Sequence, residues 1–118
     1  TGTIMGTSTY LKEKNPSIKI IGAQPTDNSR IPGIRKWSKE FLPKIFNPKK
    51  VDNIIEVSEQ EAREMTKKLA INEGVFSGMS GGGAVVASLK LAEKLDNGFI
   101  VTVIPDRGDR YLSSDLFE

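Results

Sequence analysis

The stretch GMSGGGAVVASLKLAEKL at residues 78–95 decides how this chain folds. Its first turns are apolar on every side, a pattern that predicts a helix whose start is buried. Each helical glycine costs about 1 kcal/mol relative to alanine, so the three consecutive glycines at 81–83 require a steric reason. Either another backbone packs closely against them or a flat ligand lies there. We expect Ser80 to be the N-cap, with a hydroxyl that caps the helix or faces a ligand.

Two further helices are predicted upstream of this stretch. The first covers residues 3–15 and is stopped by an Asn-Pro pair. The second begins at Ser58, where Ser58 and Glu61 have the spacing of a capping box, in which each side chain bonds the other residue's backbone amide. Gly74 is placed to end this helix in a left-handed conformation.

Apolar runs between the helices predict the strands. They lie at residues 18–23, 53–57 and 99–104, and the last of these, FIVTVI, is the strongest strand pattern in the chain. Strands that read as continuous apolar runs and alternate with helices are typical of parallel sheets buried on both faces. The sequence therefore predicts an α/β domain with a largely parallel sheet in a three-layer arrangement.

Composition excludes several classes of chemistry. The chain has 118 residues, enough for one domain, and contains neither histidine nor cysteine. A Ser-His-Asp triad, an imidazole base, a histidine zinc site, a thiolate nucleophile and a disulfide framework are all excluded. No apolar run reaches the roughly 18 residues of a transmembrane helix. Any chemistry must use lysine, carboxylates, hydroxyls, backbone dipoles or a cofactor.

The net charge of +2 averages two unlike regions. Residues 26–50 carry seven basic and two acidic residues, a local charge of +5, so the rest of the chain is acidic on balance. Three prolines in the same stretch argue against one long helix. The stretch is either a solvated irregular connection or a mobile loop that meets an anion, such as a small substrate or a nucleic acid.

Two more segments are candidates for ligand contacts. Thr1-Gly2-Thr3 lies at the start of the first predicted helix, where free amides and the helix dipole favour phosphate, although a simple turn and N-cap has the same pattern. Residues 106–110, Asp-Arg-Gly-Asp-Arg, follow the strongest predicted strand, and ligand sites in parallel sheets lie beyond strand carboxyl ends. The alternative is a self-paired surface turn.

Four motifs in order resemble the C-terminal portion of the cysteine synthase (O-acetylserine sulfhydrylase) family, a pyridoxal 5′-phosphate (PLP) dependent family of fold type II. The resemblance is greatest to its B isoform and covers essentially the whole chain. Each motif is modest evidence, but their common order is specific. The motifs are TGTIMG at 1–6, IPGIRKW at 31–37, EGVFSGMS with a following glycine at 73–82, and DRGDRYLS at 106–113.

The resemblance implies a fold and a set of site residues. Residues 1–118 would be the C-terminal part of the PLP-binding domain of a tryptophan synthase β-like fold, with a basic loop at 26–50. A neutral hydroxyl at the pyridine nitrogen would leave that nitrogen largely unprotonated and favour β-elimination over transamination. The implied site residues are Thr1, Gly2 and Thr3 at the phosphate, Ser80 at the pyridine nitrogen, Gly78, Gly81 and Asp106 behind it, and Arg35, Lys36 and Trp37 in an anion-binding loop that closes over the active site.

The chain departs from the family pattern at several positions. Gly81 stands where the family usually has a second serine, and Lys36 stands where it usually has arginine, which keeps the charge without the planar fork. The N-terminal domain and the Schiff-base lysine are absent. Residues 15–19 superficially resemble the family's lysine motif, but the spacing differs, so Lys19 is interpreted as an ordinary strand-edge lysine. We therefore expect a part of a longer enzyme that has no activity alone.

The resemblance also implies the reaction and the partners. O-acetylserine would undergo β-replacement by sulfide or thiosulfate to give cysteine or S-sulfocysteine, in a cytoplasmic homodimer with no nucleic-acid or membrane partner. The remainder of the enzyme would be a partner of this chain. Cystathionine β-synthase and threonine dehydratase are weaker matches in the same fold group. A non-enzymatic module that binds an anion or nucleic acid through residues 26–50 is the alternative from another class.

Overall fold

The structure, a computed structural model, describes residues 1–118 and contains three α-helices and two β-strands. The strands pair in parallel, with Ile21 opposite Asn53 and Pro25 opposite Val57. This arrangement confirms the predicted α/β class with parallel strand pairing. None of the helices combines the length and apolar character that a membrane crossing requires. In chain order the elements are α1 (Gly2–Lys14), β1 (Ile21–Pro25), β2 (Asn53–Val57), α2 (Glu59–Glu73) and α3 (Met79–Ala92).

Helices α2 and α3 pack closely together, and Gly82 is the residue that permits it. A Cβ atom at Gly82 would lie 2.5 Å from the carbonyl oxygen of Ala62 and 2.9 Å from the amide nitrogen of Thr66. No side chain fits at that distance from a backbone. Of the two explanations that the sequence left open for the glycines, close packing of another backbone is therefore the one that applies at Gly82.

The core draws on residues from distant parts of the chain. Val57 at the end of β2 and Ala62 in α2 are fully buried, and the C-terminal Leu116 is buried with them. Ile31, from the basic stretch 26–50, belongs to the same cluster. The basic stretch is therefore anchored to the core at Ile31 and, through a partly buried contact, at Ile34, although most of its residues are exposed.

The predicted boundaries of α2 are confirmed in detail. The amide of Glu61 donates to Ser58 Oγ at 3.2 Å, and the amide of Ser58 donates to Glu61 Oε2 at 2.7 Å. The helix ends at Gly74, whose φ of 65° is left-handed. Both signals are local, which is why the sequence alone located them.

The prediction that Ser80 is the N-cap of α3 is wrong. The helix begins at Met79 with Gly78 as its N-cap and has no side-chain cap. The amide of Gly78 instead donates to Asp106 Oδ1 at 3.2 Å. A carboxylate that is remote in sequence occupies the start of the helix, so Ser80 lies inside the first turn.

The predicted strand at 99–104 does not form. The segment is irregular and pairs with neither strand, because β1 and β2 pair only with each other. Thr102 bonds Ser88 of α3 through their hydroxyls at 2.6 Å, whereas Phe99 and Val101 are 94% and 79% exposed. A strand requires a neighbouring strand for its backbone groups, and these 118 residues supply none beside this segment.

Candidate functional site

The start of α3 holds two serines, Ser77 and Ser80, whose hydroxyls make no hydrogen bond within the chain, and the hydroxyl of Ser77 is fully buried. Ser80 is 5% exposed, and its hydroxyl makes no hydrogen bond within the chain. Ser77 is fully buried, and its Oγ is also unpaired. A Cβ atom at Gly81 would lie 3.0 Å from Ser77 Oγ, which places this hydroxyl against the first turn of α3. Buried polar groups are rarely left unpaired, so the helix start has the character of a ligand-facing site.

Asp106 organises the backbone in front of this helix. Its Oδ1 accepts from the Gly78 amide, and its Oδ2 accepts from the Tyr111 hydroxyl at 2.5 Å. That hydrogen bond, together with burial, raises the pKa of Tyr111. A Cβ atom at Gly78 would overlap Asp106 Oδ1 and the ring of Tyr111, so a side chain there would displace both groups. Asp106 therefore fixes the position of the helix start.

A tight turn of the basic stretch lies on Ser80. The amide of Ile34 donates to the carbonyl of Ile31 at 3.1 Å, with Pro32 and Gly33 between them. The φ of Gly33 is 92°, and proline followed by such a glycine is typical of a type II turn. A Cβ atom at Gly33 would lie 3.1 Å from Ser80 Cβ and 3.2 Å from Ser80 Oγ.

The three residues assigned to the anion loop differ in what they contact. Lys36 Nζ lies 2.7 Å from Glu56 Oε1 and 2.9 Å from Asp27 Oδ1, and these bonds, the one to Glu56 foremost, raise the pKa of Lys36. Arg35 makes no ion pair, and its guanidinium lies 5.5 Å from the ring centre of Trp37. All three line an open groove of about 890 Å³ formed by residues 25–38 and Phe41. Of the two cations assigned to the anion loop, Arg35 is thus the one without an ion pair, and Arg30, which lines the same groove, makes none either.

Thr1, Gly2 and Thr3 lie at the start of another helix, α1. They form the exposed start of α1, and Thr1, its N-cap, makes no side-chain capping bond. A Cβ atom at Gly2 would meet nothing within 4 Å, so the backbone there is open to a ligand. Gly2 lines a groove of about 670 Å³ with Lys50, and this groove shares no residue with the one beside Arg35. The structure thus joins Gly33, Gly78, Gly81 and Asp106 to the Ser80 region, while Gly2 lines the groove beside Lys50.

Three residues at the site had no assigned role in the sequence. Ser77 lies just before Gly78 within a motif, but nothing in the sequence shows that its hydroxyl lacks a partner. Tyr111 bonds Asp106 across a 3-10 turn that is not visible in the pattern. Gly33 does carry a signal, because a Pro-Gly pair predicts a type II turn.

The fold and the site define an α/β domain with free hydroxyls at a glycine-rich helix start. The family profile described as "Pyridoxal-phosphate dependent enzyme" matches residues 1–106. The chain belongs to this family.

Individual relatives agree with the motif resemblance. Cysteine synthase B of Pseudomonas aeruginosa is 51% identical over 118 residues, which is 100% of this chain and 40% of that protein. Cysteine synthase B of Escherichia coli K12 is 44% identical over 99% of this chain and 39% of its own length. The chain thus spans about 40% of the length of these relatives. The resemblance to cysteine synthases predicted from the four motifs is confirmed.

A solved structure gives the same result for the fold. The crystal structure of cysteine synthase from Entamoeba histolytica superposes with a TM-score of 0.87 at 38% identity, covering 98% of this chain and 37% of that one. An O-acetylserine dependent cystathionine β-synthase from Helicobacter pylori superposes with a TM-score of 0.86 at 37% identity, covering 99% of this chain and 40% of that one.

Proposed function

We propose that these 118 residues are part of a PLP-dependent cysteine synthase of the B type. The single observation that carries the proposal is the identity of 44–51% to two cysteine synthases B along essentially the whole chain. The reaction is β-replacement: the bond from the β-carbon of O-acetylserine to acetate breaks, and a bond from that carbon to sulfur forms. The products are acetate and cysteine with sulfide as donor, or acetate and S-sulfocysteine with thiosulfate.

The residues at the two helix starts fit the chemistry of PLP. Its pyridine nitrogen requires a hydrogen-bond partner, and Ser80, a largely buried residue, offers a hydroxyl without a partner in the chain. Its phosphate suits a helix N-terminus, and α1 begins with two threonines and an open glycine. When bound, PLP supplies an electron sink for cleavage at the β-carbon.

Each group of residues then has a distinct task. The hydroxyl of Ser80 donates to the pyridine nitrogen and keeps it without a proton, while Thr1, Gly2 and Thr3 hold the phosphate. Asp106 fixes the helix start through the Gly78 amide. Gly81 leaves room for Ser77 and Ile104 beside the first turn.

The sulfur donor meets the basic loop in this proposal. The charge of Lys36 is balanced by Asp27 and Glu56, so Arg35 supplies the net attraction for an anion such as thiosulfate. Trp37 lies beside the Arg35 guanidinium and limits its movement. Lys36 keeps a structural task, because it ties the loop to β2.

The Schiff-base lysine has to come from elsewhere in the enzyme. The side chain of Lys19 is 74% exposed and lies 3.8 Å from Asp52, ahead of β1 on the surface. A side chain that is this exposed is not enclosed as a cofactor-binding lysine would be. We therefore propose that the remainder of the enzyme is an obligatory partner of this chain. From the resemblance to cysteine synthases, we also propose a homodimer as the assembly and the cytoplasm as its location.

The test compares the complete gene product with the 118-residue chain. Each is given PLP, O-acetylserine and either sulfide or thiosulfate, and cysteine and S-sulfocysteine are quantified. We expect sustained turnover by the complete product and none by the chain alone. A complete product that forms neither amino acid would overturn the proposal, and salt-sensitive affinity for nucleic acid would then favour the binding-module alternative.

A further inference from the structure

We propose that Gly33 is a positioning residue for Ser80: the turn at 31–34 lies against the serine side chain and fixes the direction of its hydroxyl. The inference deepens the proposed function, on which it rests for the identity of the hydroxyl's ligand, the pyridine nitrogen. The juxtaposition of turn and serine itself is a property of the fold.

The contact between Gly33 and Ser80 leaves no room for a side chain. The position of a Cβ at Gly33 is 3.1 Å from Ser80 Cβ and 3.2 Å from Ser80 Oγ, closer than ordinary van der Waals contact. The φ of 92° is a second, independent demand for glycine. Glycine at this position therefore serves both the turn and the approach to the serine.

The turn also contacts α3 through residues other than Gly33. Ile31 is 3% exposed, in the core. A Cβ atom at Gly83, one helical turn after Ser80, would lie 3.3 Å from Ile34 Cδ1 and 3.9 Å from Ile31 Cδ1. The side chains of the two isoleucines of the turn therefore pack against the helix beside Ser80.

The segment before the turn is tied to a second helix. The amide of Arg30 donates to Glu59 Oε2 at 3.1 Å, and the amide of Glu59 donates to Ser29 Oγ at 3.1 Å. Since Glu59 is the first residue of α2, the turn is located by both helices. Gly33 cannot withdraw from Ser80 without breaking one of these contacts.

This placement restricts the serine hydroxyl. A serine side chain has three staggered rotamers, and within a helix one of them clashes with the preceding turn. The Cβ position of Gly33 lies 3.1 Å from Ser80 Cβ and 3.2 Å from Ser80 Oγ, so the turn bounds the space available to the remaining rotamers. Because no hydrogen bond within the chain orients the hydroxyl, steric contact with the turn does so.

The test is Gly33→Ala in the complete gene product, with PLP as the probe. The methyl group displaces Ser80, so we expect PLP affinity to fall about three- to tenfold, as for an off-rotamer donor, with a shifted absorbance maximum of the bound cofactor. The matched control is Gly74→Ala, because Gly74 also has a positive φ, 65°, but nothing lies within 4 Å of its Cβ position. That control also places alanine at a positive φ and should leave the cofactor spectrum unchanged.

A second variant separates the contact from the strain. Ser80→Gly removes both atoms that the new methyl group meets, so adding Gly33→Ala to it should leave PLP affinity unchanged. The inference is overturned if Gly33→Ala matches Gly74→Ala in spectrum and affinity, or if its effect persists at full size in the Ser80→Gly background.

The proposed function can fail separately. If the complete product binds no PLP, that function is wrong, and the contact is then judged on protein stability alone. In that case Gly33→Ala should lower the thermal midpoint more in the Ser80 background than in the Ser80→Gly background. Equal losses in both backgrounds would contradict the contact itself.

Discussion

Ser80 and Arg35 are distinguished from their neighbours by the partners they lack within the chain. Ser80 is 5% exposed, and its hydroxyl makes no hydrogen bond within the chain. Arg35 makes no ion pair, whereas Lys36, the next residue, makes two. A hydroxyl or a guanidinium without a partner in the chain can form a hydrogen bond or an ion pair with a ligand.

Arg35→Ala provides a prediction at this scale. Loss of an exposed charge worth up to about 1 kcal/mol should lower kcat/KM for thiosulfate about fivefold. The corresponding constant for sulfide should change little, because sulfide is smaller and has no sulfonate-like group for the guanidinium to bind. Steady-state kinetics with the two donors on the complete gene product measure this. Equal losses for both donors would contradict an anion-selective role.

At the scale of elements, glycine has opposite effects on stability in α1 and α3. Gly82 of α3 touches the backbone of α2, whereas Gly6 of α1 has nothing within 4 Å of its Cβ position and is exposed. The glycine in α3 is required by packing. The glycine in α1 is a weakness in an exposed helix.

Alanine at these two glycines should therefore change stability in opposite directions. Gly82→Ala should lower the free energy of unfolding by about 1–3 kcal/mol, as in overpacked cores. Gly6→Ala should raise it by about 0.5–1 kcal/mol, since the unfolded chain loses freedom. Urea denaturation of the two variants of the complete gene product gives both values. A destabilised Gly6→Ala or a neutral Gly82→Ala would contradict the packing described.

The capping box of α2 gives a pH dependence. The hydrogen bond from Lys90, followed by that from the Ser58 amide, lowers the pKa of Glu61. Its ionised form therefore stabilises the fold above the usual carboxyl value of about 4.3, and this contribution is lost as pH falls through the lowered pKa. The deficit of Glu61→Gln in free energy of unfolding should shrink between about pH 6 and pH 3.

The measurement is the same denaturation series at stepped pH. Glu64→Gln, on the same helix with its carboxylate bonded to the Gln60 amide, is the control. A Glu61→Gln deficit that stays constant across this range would contradict the linkage.

Features that depend on residues a few positions apart were predictable from the sequence, and features that depend on residues distant in the chain were not. The capping box at Ser58 and the helix end at Gly74 depend on residues a few positions apart, and both are confirmed. The N-cap of α3 was assigned wrongly because its partner, Asp106, lies 28 residues away. The ion pairs of Lys36 with Asp27 and Glu56 likewise join segments that only the fold brings together.

At the scale of the whole molecule, the largest departure is the segment at 99–104. It has the strongest strand pattern in the chain, yet Phe99, Val101 and Val103 are 94%, 79% and 55% exposed. The chain spans about 40% of its curated relatives' length. We expect the rest of the enzyme to supply the neighbouring strand, so that these outward side chains become buried.

A lysine scan of two equally exposed positions tests that expectation. Val101→Lys would bury an unpaired charge in the complete enzyme and should lower its free energy of unfolding by about 2 kcal/mol or more. Ile71→Lys in α2 starts from a similar exposure, 81% against 79%, and should be tolerated. If both variants have the same stability, the segment at 99–104 is not covered in the complete protein.

In the proposed enzyme, a cysteine synthase, the decisive contact is the one between Ser80 and the pyridine nitrogen of PLP. It is tested most directly by rapid-mixing measurement of acetate release from O-acetylserine by the PLP-loaded complete gene product and its Ser80→Ala variant. Loss of one oriented hydrogen bond should slow this release about tenfold while PLP remains bound. An unchanged rate of acetate release in the Ser80→Ala variant would contradict that contact.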